Sequence, residues 1–248
     1  MGIDLPALIG HRGAAAVAPE NTLAGLSAAH QAGVTWVEVD VKLSADNVAI
    51  LMHDDDLRRT TDGHGPVRQK TFAEIATLDA GSWFDDRFKA EAVPTLQACL
   101  QHLQALDLGL NLEIKPCRGR GPQTAAVAAA VLAAHDFPLE QVLITSFDWT
   151  AIAWLAEHAP RWHRGLLAEN LNCDWQASSQ ALGCVSLHVA DNAVDRQAIG
   201  KIHDAGMCAA AYTINSVDRA AALRAAGLDV VITDDPGKLL PVLPADGA

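Results

Sequence analysis

Residues 34–53 read VTWVEVDVKLSADNVAILMH and contain two apolar runs of the kind that forms β-strands. The runs, Val34–Val41 and Val48–His53, are separated by only six residues. A crossover between parallel strands needs a dozen or more residues, so this connection must be a hairpin. Its turn is predicted near Ala45-Asp46-Asn47, because Asp and Asn tolerate the backbone conformations of tight turns.

Short apolar runs alternate with alanine-rich helical segments along the rest of the chain, which is typical of a parallel sheet covered by helices. The predicted strands are Leu8–His11, Val34–Val41, Val48–His53, Leu110–Lys115, Val142–Ser146, Gly165–Ala168, Cys184–His188, Cys208–Thr213 and Asp229–Asp234. The predicted helices are Asn21–Ala32, Thr95–Leu106, Gln123–His135, Thr150–His158, Trp175–Leu182, Asp195–Ala205 and Val217–Ala226. Without the return strand of the hairpin, eight parallel strands remain. The fold class is therefore α/β, and the predicted architecture is a TIM (β/α)8 barrel.

One polar segment interrupts this alternation. Residues 55–94 are rich in Gly, Asp, Thr and aromatic residues, and they separate the second strand and its hairpin partner from the next helix. Long excursions in compact domains tend to be functional, so we expect a small insertion that folds over the barrel mouth. A chain of 248 residues could form two small domains or one α/β barrel of typical size. We predict the single barrel domain, over 1–248, with its insertion at about 55–94.

The composition argues against several classes of function. Half of the residues are hydrophobic, and the formal net charge is −12. Nucleic acids and anionic membranes require a basic face, so we expect neither as a partner. We also expect no membrane insertion and no signal peptide, because no apolar run is long enough and residues 1–9 lack a basic start. The five scattered cysteines form no CxxC pair, which favours a cytoplasmic protein without disulfides.

Three carboxylates lie towards the carboxyl ends of predicted strands, where barrel enzymes hold their catalytic groups. Glu38 and Asp40 are two residues apart on one strand, so both side chains point to the same face. Glu113 has the equivalent position on another strand. A lone carboxylate there could cap a helix or pair with Lys42, but the three together predict a divalent-cation site. All-oxygen ligation favours Mg²⁺ or Ca²⁺ over zinc, and sequence does not choose between these two.

Two histidines, His11 and His53, also end strands. The hairpin returns His53 to the side of the carboxylate pair on the preceding strand. A lone strand-end histidine is more often a satisfied core residue. Two histidines beside three carboxylates indicate an acid–base pair, because phosphodiester cleavage needs one proton removed and another donated. His188 also ends a strand and is a weaker candidate.

Two basic residues stand beside these candidate groups. Lys115 lies two residues after Glu113, shares its strand face and can reach a bound phosphate as a point charge. Arg12 follows His11 and can bind an anion, although a simple ion pair with Glu20 is an equally good interpretation. The combination of cation site, histidines and basic residues is typical of a metal-dependent phosphoester hydrolase.

Several motifs follow one another in a fixed order along the chain. They are His11-Arg12-Gly13, Pro19-Glu20-Asn21-Thr22, Glu38-x-Asp40, His53-Asp54, Glu113-Ile114-Lys115-Pro116, Ser146-Phe147, Tyr212-Thr213-Ile214-Asn215 and Gly227–Asp234. This series resembles that of the glycerophosphodiester phosphodiesterase family, from Ile9 to about Pro236. Asp79–Phe84, Gly119–Pro122 and Leu182–His188 are similar to the bacterial cytosolic branch of that family.

The resemblance implies an enzyme of lipid and glycerol metabolism that hydrolyses glycerophosphodiesters to sn-glycerol 3-phosphate and an alcohol. The site that it implies is a metal held by Glu38, Asp40 and Glu113, catalysis by His11 and His53, and phosphate contacts from Arg12 and Lys115. Tyr212 stands where many members carry Trp, so it is expected to form an aromatic wall of the substrate site.

Two other functions remain open from the sequence. A phospholipase of the phosphatidylinositol or sphingomyelin type would use similar residues, but it needs an apolar or basic rim facing the membrane. The insertion offers only Trp83, Phe84 and Phe88 for such a rim, beside Asp85 and Asp86. A non-catalytic metabolite-binding barrel is expected to lack a histidine or a metal carboxylate, and none is missing here. The head group, the cation, the division of roles between the histidines, a cyclic phosphate intermediate and the oligomeric state stay undecided.

Overall fold

The computed structural model describes residues 3–243, and the strands within this range form one continuous sheet. The strands are β1 (Leu8–Gly10), β2 (Trp36–Leu43), β3 (Ala49–Leu51), β4 (Gly109–Ile114), β5 (Val142–Ser146), β6 (His163–Ala168), β7 (Ser186–Ala190), β8 (Cys208–Tyr212) and β9 (Val230–Thr233). β1 is parallel to both β2 and β9, which closes eight parallel strands into a barrel. The predicted TIM barrel is therefore confirmed. The two ends of the predicted domain, residues 1–2 and 244–248, lie outside the described residues.

The predicted hairpin is present, because β3 runs antiparallel to β2, a strand that also pairs with β1 and β4 in the closed barrel. The register pairs Val41 with Leu51 and Leu43 with Ala49. This pairing extends β2 two residues beyond the predicted end at Val41, since the backbone groups of residues 42 and 43 gain partners. β3 itself ends at Leu51 rather than His53, but the Met52 amide still donates to the Asp40 carbonyl at 3.0 Å.

Helices cover the outside of the barrel, as the alternation of strands and helices predicts. The α-helices of the described residues are α1 (Leu23–Gln31), α2 (Phe72–Ile75), α3 (Leu96–Leu106), α4 (Gly121–Ala134), α5 (Trp149–His158), α6 (Trp175–Leu182), α7 (Arg196–Asp204), α8 (Val217–Ala225) and α9 (Pro236–Leu239). Of these, α2 packs with the segment between β3 and α3 rather than in the main core. α4 begins two residues before its predicted start, because a proline in the first turn needs no backbone donor. The sequence analysis missed α2 and α9, since a helix of four residues is too short to show a helical period.

Successive side chains of β2 point to opposite faces of the sheet. One face therefore packs in the main core, and the other faces the interior of the barrel. Val37, Val39 and Val41 pack in the main core with residues of the surrounding helices. Trp36 points the other way and belongs to a small apolar cluster with residues of other barrel strands. Glu38 and Asp40 follow it at intervals of two residues and thus share its face. The period of the strand therefore places both carboxylates inside the barrel.

The segment between β3 and α3 carries its own hydrophobic cluster, which includes Leu57, Val67, Ile75 and Val93. Sequence analysis predicts an insertion at about 55–94, and this cluster shows how such a segment packs against the hairpin. Asp55, the first residue of this segment, forms an ion pair with a buried lysine of β2. Its Oδ1 accepts a hydrogen bond of 2.6 Å from Nζ of Lys42, a lysine whose side chain is 1% exposed.

Removing this carboxylate tests whether the contact stabilises the fold. In Asp55→Ala the ammonium of Lys42 keeps its bond to the Lys115 carbonyl but loses its charge partner. We expect a loss of about 1–3 kcal/mol, because an incompletely satisfied buried donor costs free energy. That loss lowers the thermal midpoint by several degrees, as calorimetry measures. Asp86→Ala, at an exposed position of the same segment, should leave the midpoint unchanged.

A double variant identifies the cause of that loss. Lys42→Met combined with Asp55→Ala removes the buried charge together with its partner and should recover much of the stability. If the double variant is as unstable as Asp55→Ala alone, the unpaired lysine is not the source of the instability.

Candidate active site

Three buried carboxylates converge at one side of the barrel interior. Glu38 and Asp40 lie on β2 and Glu113 on the neighbouring β4, where Asp40 and Glu113 are register partners. One oxygen from each side chain lies within 4.8 Å of the other two. Such a set can hold an ion whose preferred ligands are carboxylate oxygens. The structure thus brings together the three residues that the sequence analysis selects for metal binding.

The electrostatics of the cluster favour a bound cation. Burial and the charge of Asp40 raise the pKa of Glu38 well above its usual range, and the same two causes raise that of Glu113 to about 7. Burial acts in the same direction on Asp40, but Arg12, His53 and Lys115 together hold the pKa of Asp40 low. Among residues 3–243, Oε1 of Glu38 is buried without a hydrogen-bond partner. A divalent cation would supply the missing positive charge and occupy this oxygen.

Asp40 is held by a residue to which the sequence analysis gives no role in the site. Asn21 donates from Nδ2 to Oδ2 of Asp40 at 2.9 Å, and Oδ1 of Asn21 accepts from the Asp40 amide at 3.0 Å. Asn21 has a positive φ of 56°, a conformation that Asn tolerates better than most residues. The N-cap of α1 is the neighbouring Thr22, which leaves the Asn21 side chain free for the carboxylate.

Both basic residues of the prediction reach the carboxylate cluster. Nε of Arg12 lies 3.2 Å from Oδ2 of Asp40, and its Nη1 donates to Glu20 at 2.7 Å. The pairing with Glu20 that the sequence left open is therefore present in addition to the contact with the cluster. Nζ of Lys115 lies 2.7 Å from Glu113 and 4.9 Å from the ring centre of Phe147.

His11 is oriented by an aspartate at the end of the last strand. Its Nδ1 lies 2.6 Å from Oδ1 of Asp234, and its Nε2 lies 3.9 Å from Oε2 of Glu38. Asn215 donates to the other oxygen of Asp234 at 2.7 Å. The sequence analysis missed Asp234, although barrel closure could have revealed it. β1 pairs with β9 so that Gly10 lies opposite Thr233, which makes the next residues neighbours.

His53 has an equivalent aspartate partner, which is its neighbour in sequence. Its Nδ1 lies 2.7 Å from Oδ1 of Asp54. Burial lowers the pKa of His53, and the charge of Asp40 opposes that shift. Because Nδ1 of each histidine is bound to an aspartate, Nε2 is the nitrogen left for chemistry in both.

The cavity at the centre of these groups has a volume of about 310 Å³. Its lining includes both histidines, both basic residues, and Glu38 and Glu113. Tyr212 and Phe147 form one wall, with their rings in edge-to-face contact at a centroid distance of 5.8 Å. The Tyr212 hydroxyl donates to the Ala168 carbonyl at 3.0 Å, so its ring is fixed.

His188, the weaker sequence candidate, does not line this cavity. It is fully buried, and its Nε2 lies 3.1 Å from the hydroxyl of Ser186. Burial lowers its pKa to about 3, so the ring is neutral.

The closed barrel and its cavity define a (β/α)8-barrel enzyme. The model of the glycerophosphoryl diester phosphodiesterase family matches residues 11–238, and the chain belongs to that family. Family membership makes it a phosphoric diester hydrolase.

Three relatives illustrate the similarity. A phosphodiesterase of Oleispira antarctica, solved in complex with the product sn-glycerol-3-phosphate, is 39% identical with a TM-score of 0.93, and the match covers 96% of each chain. The glycerophosphodiester phosphodiesterase of Caldanaerobacter subterraneus subsp. tengcongensis is 30% identical over 94% of this chain and 96% of its own. YhdW of Bacillus subtilis is 31% identical over 92% of this chain and 94% of its own. In residues 3–243 no helix has the length and apolar character needed to cross a bilayer.

Proposed function

We propose that the enzyme hydrolyses glycerophosphodiesters to sn-glycerol 3-phosphate and an alcohol by acid–base catalysis with His11 and His53. One observation carries the proposal. Both histidines line a single cavity, each has an aspartate on Nδ1, and a cluster of three carboxylates lies in the same place. The complex of the Oleispira antarctica relative with sn-glycerol-3-phosphate supports this class of substrate.

The proposed roles follow from the position and charge of each group. Glu38, Asp40 and Glu113 would hold Mg²⁺ or Ca²⁺, which when bound would neutralise phosphate charge and stabilise the transition state. Arg12 and Lys115 would contact the remaining phosphate oxygens, and cationic groups fixed in this way are commonly the largest source of rate enhancement. Tyr212 would form a wall against the organic part of the substrate.

The proton balance requires two groups. An oxygen nucleophile attacks phosphorus while one histidine accepts its proton, and the bond from phosphorus to the alcohol oxygen breaks as the other histidine donates a proton. The nucleophile is either water or the glycerol hydroxyl next to the phosphate. The second route forms a cyclic phosphate that water then opens.

The net charge and the free cysteines support proposals about the partner and the compartment of the enzyme. The net charge of −12 disfavours nucleic acid as a partner and favours a small-molecule substrate. All five cysteines are free thiols within the described part of the chain, as is usual in the cytoplasm. We propose a cytoplasmic enzyme, and its proposed substrates assign it to lipid and glycerol metabolism.

The proposed function is tested by measuring glycerol 3-phosphate release from a panel of deacylated phospholipids. Choline, ethanolamine and glycerol head groups are compared, each with chelator, Mg²⁺ or Ca²⁺. We expect turnover of the soluble diesters that chelator abolishes and one of the two cations restores. Turnover of intact phospholipid alone would contradict the proposal and favour a phospholipase.

A further inference from the structure

Arg59, a residue of the polar segment between β3 and α3, binds two carboxylates at once. Its Nε and Nη2 donate to the two oxygens of Asp54, at 2.7 and 3.0 Å. Its Nη1 and Nη2 donate to the two oxygens of Glu20, at 2.6 and 2.8 Å. Both contacts are bidentate, the arrangement in which a planar guanidinium fixes direction as well as charge.

Each of these carboxylates also contacts a residue of the proposed active site. Oδ1 of Asp54 lies 2.7 Å from Nδ1 of His53. Oε1 of Glu20 accepts from Nη1 of Arg12 at 2.7 Å. Arg59 therefore lies in the middle of a continuous series of contacts. The series joins His53, the proposed acid–base group, to Arg12, the residue proposed to bind phosphate.

In this series of contacts the cation Arg59 lies between the carboxylates of Asp54 and Glu20, so both carboxylates depend on its charge. Hydrogen bonds from Arg59 lower the pKa of Asp54. Burial opposes ionisation of Glu20, but Arg59 and Arg12 hold its pKa low. Without Arg59, Asp54 would keep its contact with His53 and Glu20 its contact with Arg12, but no cation would lie between the two neighbouring carboxylates. Repulsion between them would turn Asp54 away from its position and rotate the His53 ring with it.

We propose that Arg59 is a positioning residue that holds His53 and Arg12 in their working orientations together. The inference rests on the proposed function of those two residues. Arg59 is neither a lining residue of the cavity nor a member of the carboxylate cluster, and its side-chain hydrogen bonds go to Asp54 and Glu20. The polar segment thereby contributes to the reaction from outside the cavity.

The test compares Arg59→Ala, Arg59→Lys and the control Arg58→Ala, at the exposed neighbouring arginine. Displacement of a catalytic group by about 1 Å can cost roughly 10²-fold, and we expect kcat/KM of Arg59→Ala to fall by about that factor. Arg59→Lys should recover only part of the activity, because one ammonium cannot bind both carboxylates in the same planar geometry. Arg58→Ala should behave as wild type.

Chemical rescue separates positioning from a general loss of structure. The Arg59 side chain is 44% exposed, so free guanidinium can enter the space that Arg59→Ala leaves. At a non-denaturing concentration it should restore activity to Arg59→Ala but not to Asp54→Ala. Sodium chloride at the same ionic strength should restore nothing. A merely structural role would not produce this pattern.

The contacts of Arg59 with Asp54 and with Glu20 predict different kinetic effects. Asp54→Asn should lower kcat, since Asp54 orients the acid–base group, whereas Glu20→Gln should mainly raise KM, since Glu20 orients the phosphate ligand. Arg59→Ala should change both constants. Wild-type kinetics in Arg59→Ala, with an active wild-type enzyme, would overturn the inference and leave the proposed function standing. A wild-type enzyme that releases no glycerol 3-phosphate from any diester would overturn both.

Discussion

Replacing Glu113 by Gln is expected to abolish turnover and to eliminate the stabilisation that Mg²⁺ or Ca²⁺ gives the wild-type enzyme. The same result is expected for Glu38→Gln and Asp40→Asn, because each contributes an oxygen to one cluster. A ligand at about one hundred times its dissociation constant stabilises the folded state by about 2.7 kcal/mol, a shift that a thermal melt detects. Glu140→Gln, at an exposed carboxylate, should keep both activity and the cation-induced shift.

Without a bound cation, replacing Glu113 by Gln should not lower the stability of the protein. This result would distinguish a metal ligand from a carboxylate that supports the fold. Burial raises the pKa of Glu113 to about 7, so in the absence of a cation its ionisation opposes folding. A glutamate in the unfolded chain has a pKa of about 4.3, and below that pH the cost to folding stability is absent. The cost grows as the pH rises from about 4.3 to about 7, and it stays constant above pH 7. In chelator at pH 8, Glu113→Gln should therefore be at least as stable as wild type.

Two results would contradict the metal role. One is full activity in protein that has been treated with chelator and freed of metal. The other is a large fall in the thermal midpoint of Glu113→Gln in chelator, which would show that the carboxylate supports the barrel itself.

Much of this site can be predicted from the sequence because its residues belong to regular strands. Glu38 and Asp40 alternate with apolar residues on β2, and this period alone assigns them to one face. The short loop after β2 requires a hairpin, and the hairpin places His53. These predictions need only a local period and a minimum length of connection.

The groups that orient the site were not predicted, since their positions depend on contacts between distant segments. Asp234 reaches His11 only because the barrel closes and brings the last strand beside the first. Arg59 lies in a polar segment without helical or strand periodicity, so no pattern distinguishes it from Arg58. Asn21 precedes a helix, where a cap is the simpler interpretation, and its bond to Asp40 depends on the register of that helix with β2.

Substitution of either histidine should cost roughly 10²–10⁴ in turnover, the usual contribution of a general acid or base. His11→Ala and His53→Ala should each show this loss on a natural diester such as glycerophosphocholine. If the two groups act in one concerted step, the double variant should lose much less than the product of the single losses. His30→Ala, at an exposed helical position, is the matched control and should retain full activity.

A diester with a nitrophenolate leaving group separates the acid from the base, because nitrophenolate departs without protonation. The variant that lacks the general acid should recover most of its activity on this substrate, and the variant that lacks the base should not. Both histidines bind an aspartate through Nδ1, so geometry alone does not assign the roles. Equal inactivity of both variants on the nitrophenyl ester, or no impairment on the natural diester, would show that the assignment is wrong. His188 could not then take over either role, because it is fully buried and lies outside the cavity lining.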